Sequence, residues 1–281
     1  MIEERGLGSR ILRLYLPLAV CLVVMLFPFY WMLITSIKPN SELYNARIMP
    51  LVVYHPTLKH YVDLLTQTNF LTWTYNTLLV AVVTTAVSLA LGTMIAYPLA
   101  RMNFPGAAVV AIGVAATYLV PQPLLFIPMA DIINKLELGD TLKAVMLTYP
   151  TLLIPFCAWL LMGYFKSVPR ELEEAARIDG ASRFQAMWRV VLPLTTPGLL
   201  SAGIFAFTLA QNEFLYALIF LSKSDVRTVP VGAITELIRG DVFYWGQLMA
   251  AALLGSIPVA VIYSFFVDYY VAGLTAGSVK S

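Results

Sequence analysis

The chain has 281 residues, 59% of them hydrophobic and 12% charged, with a formal net charge of +2 and a mean hydropathy of +0.78. So apolar a composition excludes a soluble domain, and so small a charge argues against nucleic acid or a strongly anionic partner. The two cysteines, Cys21 and Cys157, both fall in apolar stretches and offer neither a disulfide framework nor a metal site.

A helix needs about 20 residues to cross a hydrocarbon core of roughly 30 Å. Uncharged runs at 14–37, 70–100, 102–130, 144–165, 190–212 and 242–267 all reach that length. Backbone groups cannot stay unpaired in lipid, and no run alternates with period two as a barrel strand must. The expectation is an all-α membrane protein, one transmembrane domain over 1–281, with spans near 14–37, 72–100, 106–130, 144–166, 195–220 and 243–268.

Arg5, Arg10 and Arg13 precede the first run, which is too long for a signal-peptide core and has no cleavage site after it. By the positive-inside rule this predicts an uncleaved first span and cytoplasmic termini. Residues 38–69 form the longest loop, punctuated by Pro39, Pro50 and Pro56. Its histidines, His55 and His60, lack nearby carboxylate or thiolate company for zinc and are read as ordinary loop residues. Residues 61–66 are mildly amphipathic and suit the interface. Between spans two and three, Arg101 to Gly106 reads as a hinge, with Pro-Gly supplying the turn and Arg101 snorkelling into the headgroup layer. Pro121, Pro123 and Pro128, then Pro150 and Pro155, predict kinks in spans three and four.

Residues 167–193 are the polar exception. Ser167 or Val168 is placed to cap a helix with Pro169 in its first turn. Glu171, Glu173 and Glu174 follow near the positive end of the helix dipole. Leu172, Ala175, Ala176 and Asp179 share one shallow face, and Gly180 ends the helix in a left-handed conformation. Ser182 to Gln185 is a capping box opening a second short helix with Phe184, Trp188 and Val191, and Pro193 marks its boundary with span five. The spacing Glu174-Ala175-Ala176, three residues, Gly180, nine residues, Val190, one residue, Leu192-Pro193 resembles the cytoplasmic coupling loop of binding-protein-dependent ABC importer permeases. Val190 stands where isoleucine is common.

The resemblance extends along the chain through Lys38-Pro39, Asn76-Thr77, Tyr97 to Arg101, Asn212 to Leu215 and the tail 273–280, and is similar to the carbohydrate-type branch of the maltose-transporter kind. It implies a type I importer permease fold with six transmembrane helices in a bacterial inner membrane. Glu174, Ala175, Ala176, Asp179, Gly180, Leu192 and Pro193, with Glu171 on the same helix, would then couple to a cytoplasmic ATPase. The implied partners are a sister permease, two ATPase subunits that bind the ATP and Mg, and an extracytoplasmic solute-binding protein. This chain would bind no cofactor of its own and catalyse nothing. No Walker A pattern or catalytic constellation occurs in it.

In span five, Gln211, Asn212 and Glu213 interrupt an apolar helix, and polar residues there must face protein or water. With Tyr216, Tyr118 and Gln122 they are candidates for a pathway carrying a neutral polar solute such as a sugar. Gln211 departs from the family pattern, where tryptophan is frequent. Glu213 is open to two roles, packing or gating at the outer end, and direct solute contact. A non-sugar solute such as a polyamine or peptide, an ATP-independent secondary transporter and a membrane enzyme are the alternatives.

Overall fold

The structure, a computed structural model, describes residues 11–276, with side chains for 13–267. Arg5, Arg10 and the tail residues 277–281, which bear on the orientation and on the family pattern, lie outside the described residues. A π-helical turn, Ile11–Tyr15, leads into α1 (Leu16–Ile37). Then follow α2 (Lys59–Gln67), α3 (Phe70–Arg101), α4 (Ala107–Tyr118), α5 (Gln122–Lys135), α6 (Leu142–Thr148) and α7 (Pro150–Ser167). The polar segment holds α8 (Arg170–Ile178) and α9 (Arg183–Ala186), and the chain finishes with α10 (Thr196–Gln211), α11 (Leu215–Phe220), α12 (Val229–Leu237) and α13 (Trp245–Ala276).

Among the described residues, four stretches are long and apolar enough to cross a membrane unaided: Arg13–Ile37, Phe70–Arg101, Leu142–Ser167 and Trp245–Val267. Two bent pairs complete six. Ala107–Tyr118 meets Gln122–Lys135 at 94°, and Arg183–Leu194 meets Thr196–Gln211 at 77°. The kink expected in span three is thus a sharp break, whereas the 77° bend falls at Thr195, where span five was expected to begin. Pro121, extended at φ −60° and ψ 127°, caps α5 and cannot continue the ladder of α4. Within the expected span 195–220 the helix is interrupted at residues 212–214, between α10 and α11.

A hairpin absent from the sequence reading joins α12 to α13. Ile238 pairs with Phe243 and Arg239 with Val242, around Gly240 at φ +59°. Glycine at the first central position supplies the positive φ that a two-residue hairpin turn requires.

The chain divides into two compact units, Met1–Phe70 with Ala233–Ser256 and Leu71–Gly232 with Ile257–Ser281. In the first, α1 is exposed along most of its length. The loop after it is ordered by buried charge. Lys38 donates from Nζ to the carbonyls of Met49 and Pro50. The Glu42 carboxylate accepts the N–H groups of Tyr54 and His55 and meets His55 Nδ1 at 3.0 Å. His55 thus has the carboxylate neighbour that sequence proximity hid, but as a hydrogen-bond partner. His60 turns elsewhere, its Nε2 lying 2.7 Å from the Lys38 carbonyl.

In the second unit, Trp73, Asn76 and Thr77 at the start of α3 bind the loop before α12. Trp73 Nε1 donates to the Ser224 carbonyl, Asn76 Nδ2 to those of Asp225 and Arg227, and Thr77 Oγ1 accepts Val229 N–H. Asp140, left-handed at φ +55°, accepts the N–H groups of Ser222 and Lys223. The Ser222 N–H holds this carboxyl below the ordinary carboxylate range. Helices approach closely where glycine stands. A Cβ at Gly92 would lie 2.8 Å from the Cβ of Cys157, and one at Gly198 would lie 2.3 Å from the Tyr164 ring.

That contact makes a direct prediction. Gly198→Val overpacks α10 against α7 at a cost of about 1–3 kcal/mol. The thermal midpoint in detergent should fall by several degrees, and adding Tyr164→Ala should recover part of the loss.

Candidate functional site

The segment 167–193 folds as the helix–turn–helix expected. Pro169 itself is the N-cap of α8, at φ −56° and ψ 133°, so Ser167 and Val168 do not cap it. Ser167 Oγ instead donates to the Tyr164 carbonyl. Proline suits this place because an N-terminal N–H has no intrahelical acceptor. The C-terminus closes with Ala181 N–H on the Ala176 carbonyl and Gly180 N–H on that of Arg177, a Schellman arrangement with Gly180 at φ +92°. The capping box forms: Ser182 Oγ accepts Gln185 N–H at 3.2 Å, and Gln185 Oε1 accepts Ser182 N–H at 2.8 Å. A π-helical turn, Met187–Val191, and the short helix Leu192–Leu194 follow. The helix boundary falls at Thr195, two residues beyond the expected Pro193.

The outer face of this motif is open. Glu171, Glu174, Ala175, Asp179, Gly180 and Pro193 are exposed and Ala176 is half-buried. Leu192 is buried with Ala96, Leu161 and Val191, so this motif position holds the loop to the spans and presents nothing outward. Leu172, Ile178, Phe184 and Trp188 are exposed, Ile178 by 86%. Phe184 and Trp188 pack edge to face, their centroids 6.1 Å apart. Apolar side chains gathered on a charged loop mark a surface built for a partner. Ile178 went unnoticed in sequence; its signal is an aliphatic residue next to the helix end, between Arg177 and Asp179.

The inner face holds the main departure from expectation. Arg101 does not snorkel; its side chain is only 2% exposed. Its Nε donates to Glu173 Oε2 at 2.9 Å, its Nη1 to the Val168 and Phe165 carbonyls at 2.7 and 3.3 Å, and its Nη2 to the Pro169 carbonyl at 3.4 Å. Tyr97 donates its hydroxyl to Glu173 Oε1 at 2.6 Å and lies 3.3 Å from the Arg183 carbonyl. Lys and Arg side chains snorkel when their only partner is water. Here the open carbonyls ending α7 and a carboxylate in α8 supply a better one.

A second site lies where the broken spans meet α7. A cavity of about 680 Å³ is lined by Tyr118, Gln122, Asn212 and Glu213, together with Tyr149, Thr151 and Thr208. Four of the six pathway candidates thus converge, although they lie some ninety residues apart in sequence. Gln211 and Tyr216 are outside this lining and buried, because the break at 212–214 turns them into the helix packing. Tyr216 packs its ring near Phe220 instead. Tyr149, Thr151 and Thr208 were not anticipated, since hydroxyl residues within apolar spans carry no distinctive spacing. Glu213 caps a helix: its carboxylate accepts the N–H groups of Tyr216 at 2.9 Å and Ala217 at 3.2 Å, at the start of α11. The Tyr149 hydroxyl is buried beside this carboxylate.

With this geometry in view, known proteins provide a comparison. A family model described as binding-protein-dependent transport system inner membrane component matches residues 88–275. The sulfoquinovosyl glycerol transport system permease protein SmoH of Agrobacterium fabrum is 36% identical over 267 residues, covering 95% of this chain and 93% of its own. The trehalose/maltose transport system permease protein MalG of Thermococcus litoralis is 34% identical over 261 residues, 92% of each chain. Among solved structures, a bacterial ABC transporter involved in importing the acidic polysaccharide alginate matches with a TM-score of 0.76, covering 95% of this chain and 99% of that one at 21% identity. At that identity the likeness is one of fold.

Proposed function

The chain belongs to the family of binding-protein-dependent transport system inner membrane components, and on that premise we propose that it is the transmembrane permease subunit of a bacterial ABC importer for a sugar or sugar derivative. It is a multi-pass inner-membrane protein that works with an ATPase and a solute-binding protein. The finer assembly is a sister permease, two cytoplasmic ATPase subunits holding the ATP and Mg, and an extracytoplasmic binding protein, with both termini of this chain in the cytoplasm. The chain holds no cofactor and performs no catalysis; it forms part of a conduit.

The observation that carries this reading is the open apolar surface of the motif: Leu172 and Ile178 on α8, Phe184 on α9 and Trp188 in the turn after it are exposed, as is Ala175. Such a face is costly in water and needs a partner. Closure of the ATPases on ATP would press on this face and shift the spans behind it. The cavity receives the solute: Gln122 and Asn212 suit sugar hydroxyls, and the Tyr118 ring suits a sugar's apolar face. A polyamine would call for free carboxylate. The cavity's one lining carboxylate, Glu213, is engaged by two backbone N–H groups, which favours a neutral solute. The relatives whose names specify sugar-containing solutes point the same way.

Three predictions test the proposal. Ala175→Trp blocks close approach, and Gly180→Val places a β-branched residue at φ +92°. Either should cut solute uptake at least tenfold in reconstituted vesicles while the protein still inserts, and normal uptake in both would remove the coupling role.

For orientation, single cysteines at Ser41 and Ser224, in a background lacking Cys21 and Cys157, should label with an impermeant thiol reagent in intact cells. A cysteine at Ser182 should label only after the cells are opened. The reverse pattern inverts the topology.

For the cavity, Asn212→Leu should lower uptake severalfold at an unchanged amount of assembled complex. Gln211→Leu, within the packing, should mainly lower the amount of complex. Wild-type uptake of a disaccharide panel by the Asn212 variant would place solute recognition elsewhere.

A further inference from the structure

The coupling motif presents one face outward, but a push on that face reaches the spans only if the opposite face is gripped. Covalent continuity does little here. Pro169 enters α8 in an extended conformation, and Gly180 leaves it left-handed. Both junctions are turns, and turns bend readily. The grip comes from side chains far away in sequence.

Arg101, the last residue of α3, is the centre of that grip. Its guanidinium reaches α8 through Glu173 and the carbonyl of its N-cap Pro169, and the end of α7 through the Phe165 carbonyl and that of the C-cap Val168. Tyr97, one turn earlier on α3, bonds the other oxygen of Glu173. Beneath them Tyr97 and Phe165 meet edge to face at 6.2 Å, within an apolar cluster that includes Ala100, Met187 and Leu192. Both Glu173 oxygens are therefore held by donors from one helix. A carboxylate held at both oxygens cannot rotate without breaking a bond, and a desolvated pair resists separation far more than a surface one. We infer that Arg101, Tyr97 and Glu173 form a mechanical latch that makes α8 move as one body with the end of α3, so that displacement of the coupling helix is carried into span two. These are positioning residues, acting through the coupling face. The inference rests on the permease reading above.

Arginine is needed for its shape. Its planar fork meets one carboxylate and three carbonyls at once, whereas a lysine ammonium is a single point. Glutamate is needed for its charge: glutamine keeps an oxygen for Arg101 and turns to the Tyr97 hydroxyl an NH2 that the hydroxyl can accept, but it loses the ionic attraction that resists separation.

The test follows nucleotide-driven motion without needing the natural solute. In a background lacking Cys21 and Cys157, Asn212→Cys places a thiol on the cavity wall. The reconstituted complex, with its sister permease and ATPases, is reacted with an impermeant maleimide with and without a non-hydrolysable ATP analogue. Nucleotide should change the wild-type labelling rate by fivefold or more. With Arg101→Lys or Glu173→Gln the change should shrink below twofold while the ATPases still co-purify. Tyr97→Phe alone keeps the ion pair and should lie between, and it serves as the variant should the charge changes prevent assembly. A full wild-type response in assembled Glu173→Gln or Arg101→Lys complex, or in Tyr97→Phe where those do not assemble, overturns the latch and leaves the permease reading standing. Absence of any nucleotide response in the wild type overturns both.

Discussion

One guanidinium organises the inner end of the second unit. Arg101 ends a 32-residue helix, caps the open carbonyls of α7 and pairs with Glu173 on α8. A buried cation costs several kcal/mol in desolvation unless its donors are all used. The carbonyls that end α7 would themselves be unpaired without it. Each need answers the other, and three segments distant in sequence are held at one point. The outer face of α8 can be left open to a partner because its inner face is so firmly held.

The broken spans follow a related logic. Non-helical backbone at membrane depth survives only where protein or a cavity satisfies it. Span three breaks at residues 119–121 and span five at 212–214, and both breaks border the same cavity. Glu213 shows how the satisfaction is achieved: its carboxylate takes up N–H groups that open α11. The break thus creates the polar wall and also the means of tolerating it. Tyr118, Gln122 and Asn212 sit at these breaks, where a straight helix would have pointed some of them at lipid.

In the first unit the long loop owes its order to buried charge rather than to apolar packing. Lys38 and Glu42 lie inward and spend their hydrogen-bonding capacity on the backbone of residues 49–55. Prolines at 39, 50 and 56 limit the chain's alternatives, and two charged side chains then select one of them.

The fold class, the apolar runs, the helix–turn–helix, its glycine terminus and its capping box were all legible in the residues. These features are local: an uncharged run cannot leave lipid, Ser182 and Gln185 are three apart, and only glycine takes φ +92° freely. The same locality explains what was misread. Arg101 looked like a snorkelling residue because its partners, Phe165 to Glu173, lie more than sixty positions away. Gln211 and Asn212 looked equivalent because a one-residue difference decides nothing until the helix breaks between them and the cavity. Glu42 and His55 looked unrelated, being thirteen residues apart in a segment without periodicity. Which polar group meets which was settled by tertiary structure alone, since a hydrogen bond depends on position to a few tenths of an ångström while the residue string records only order.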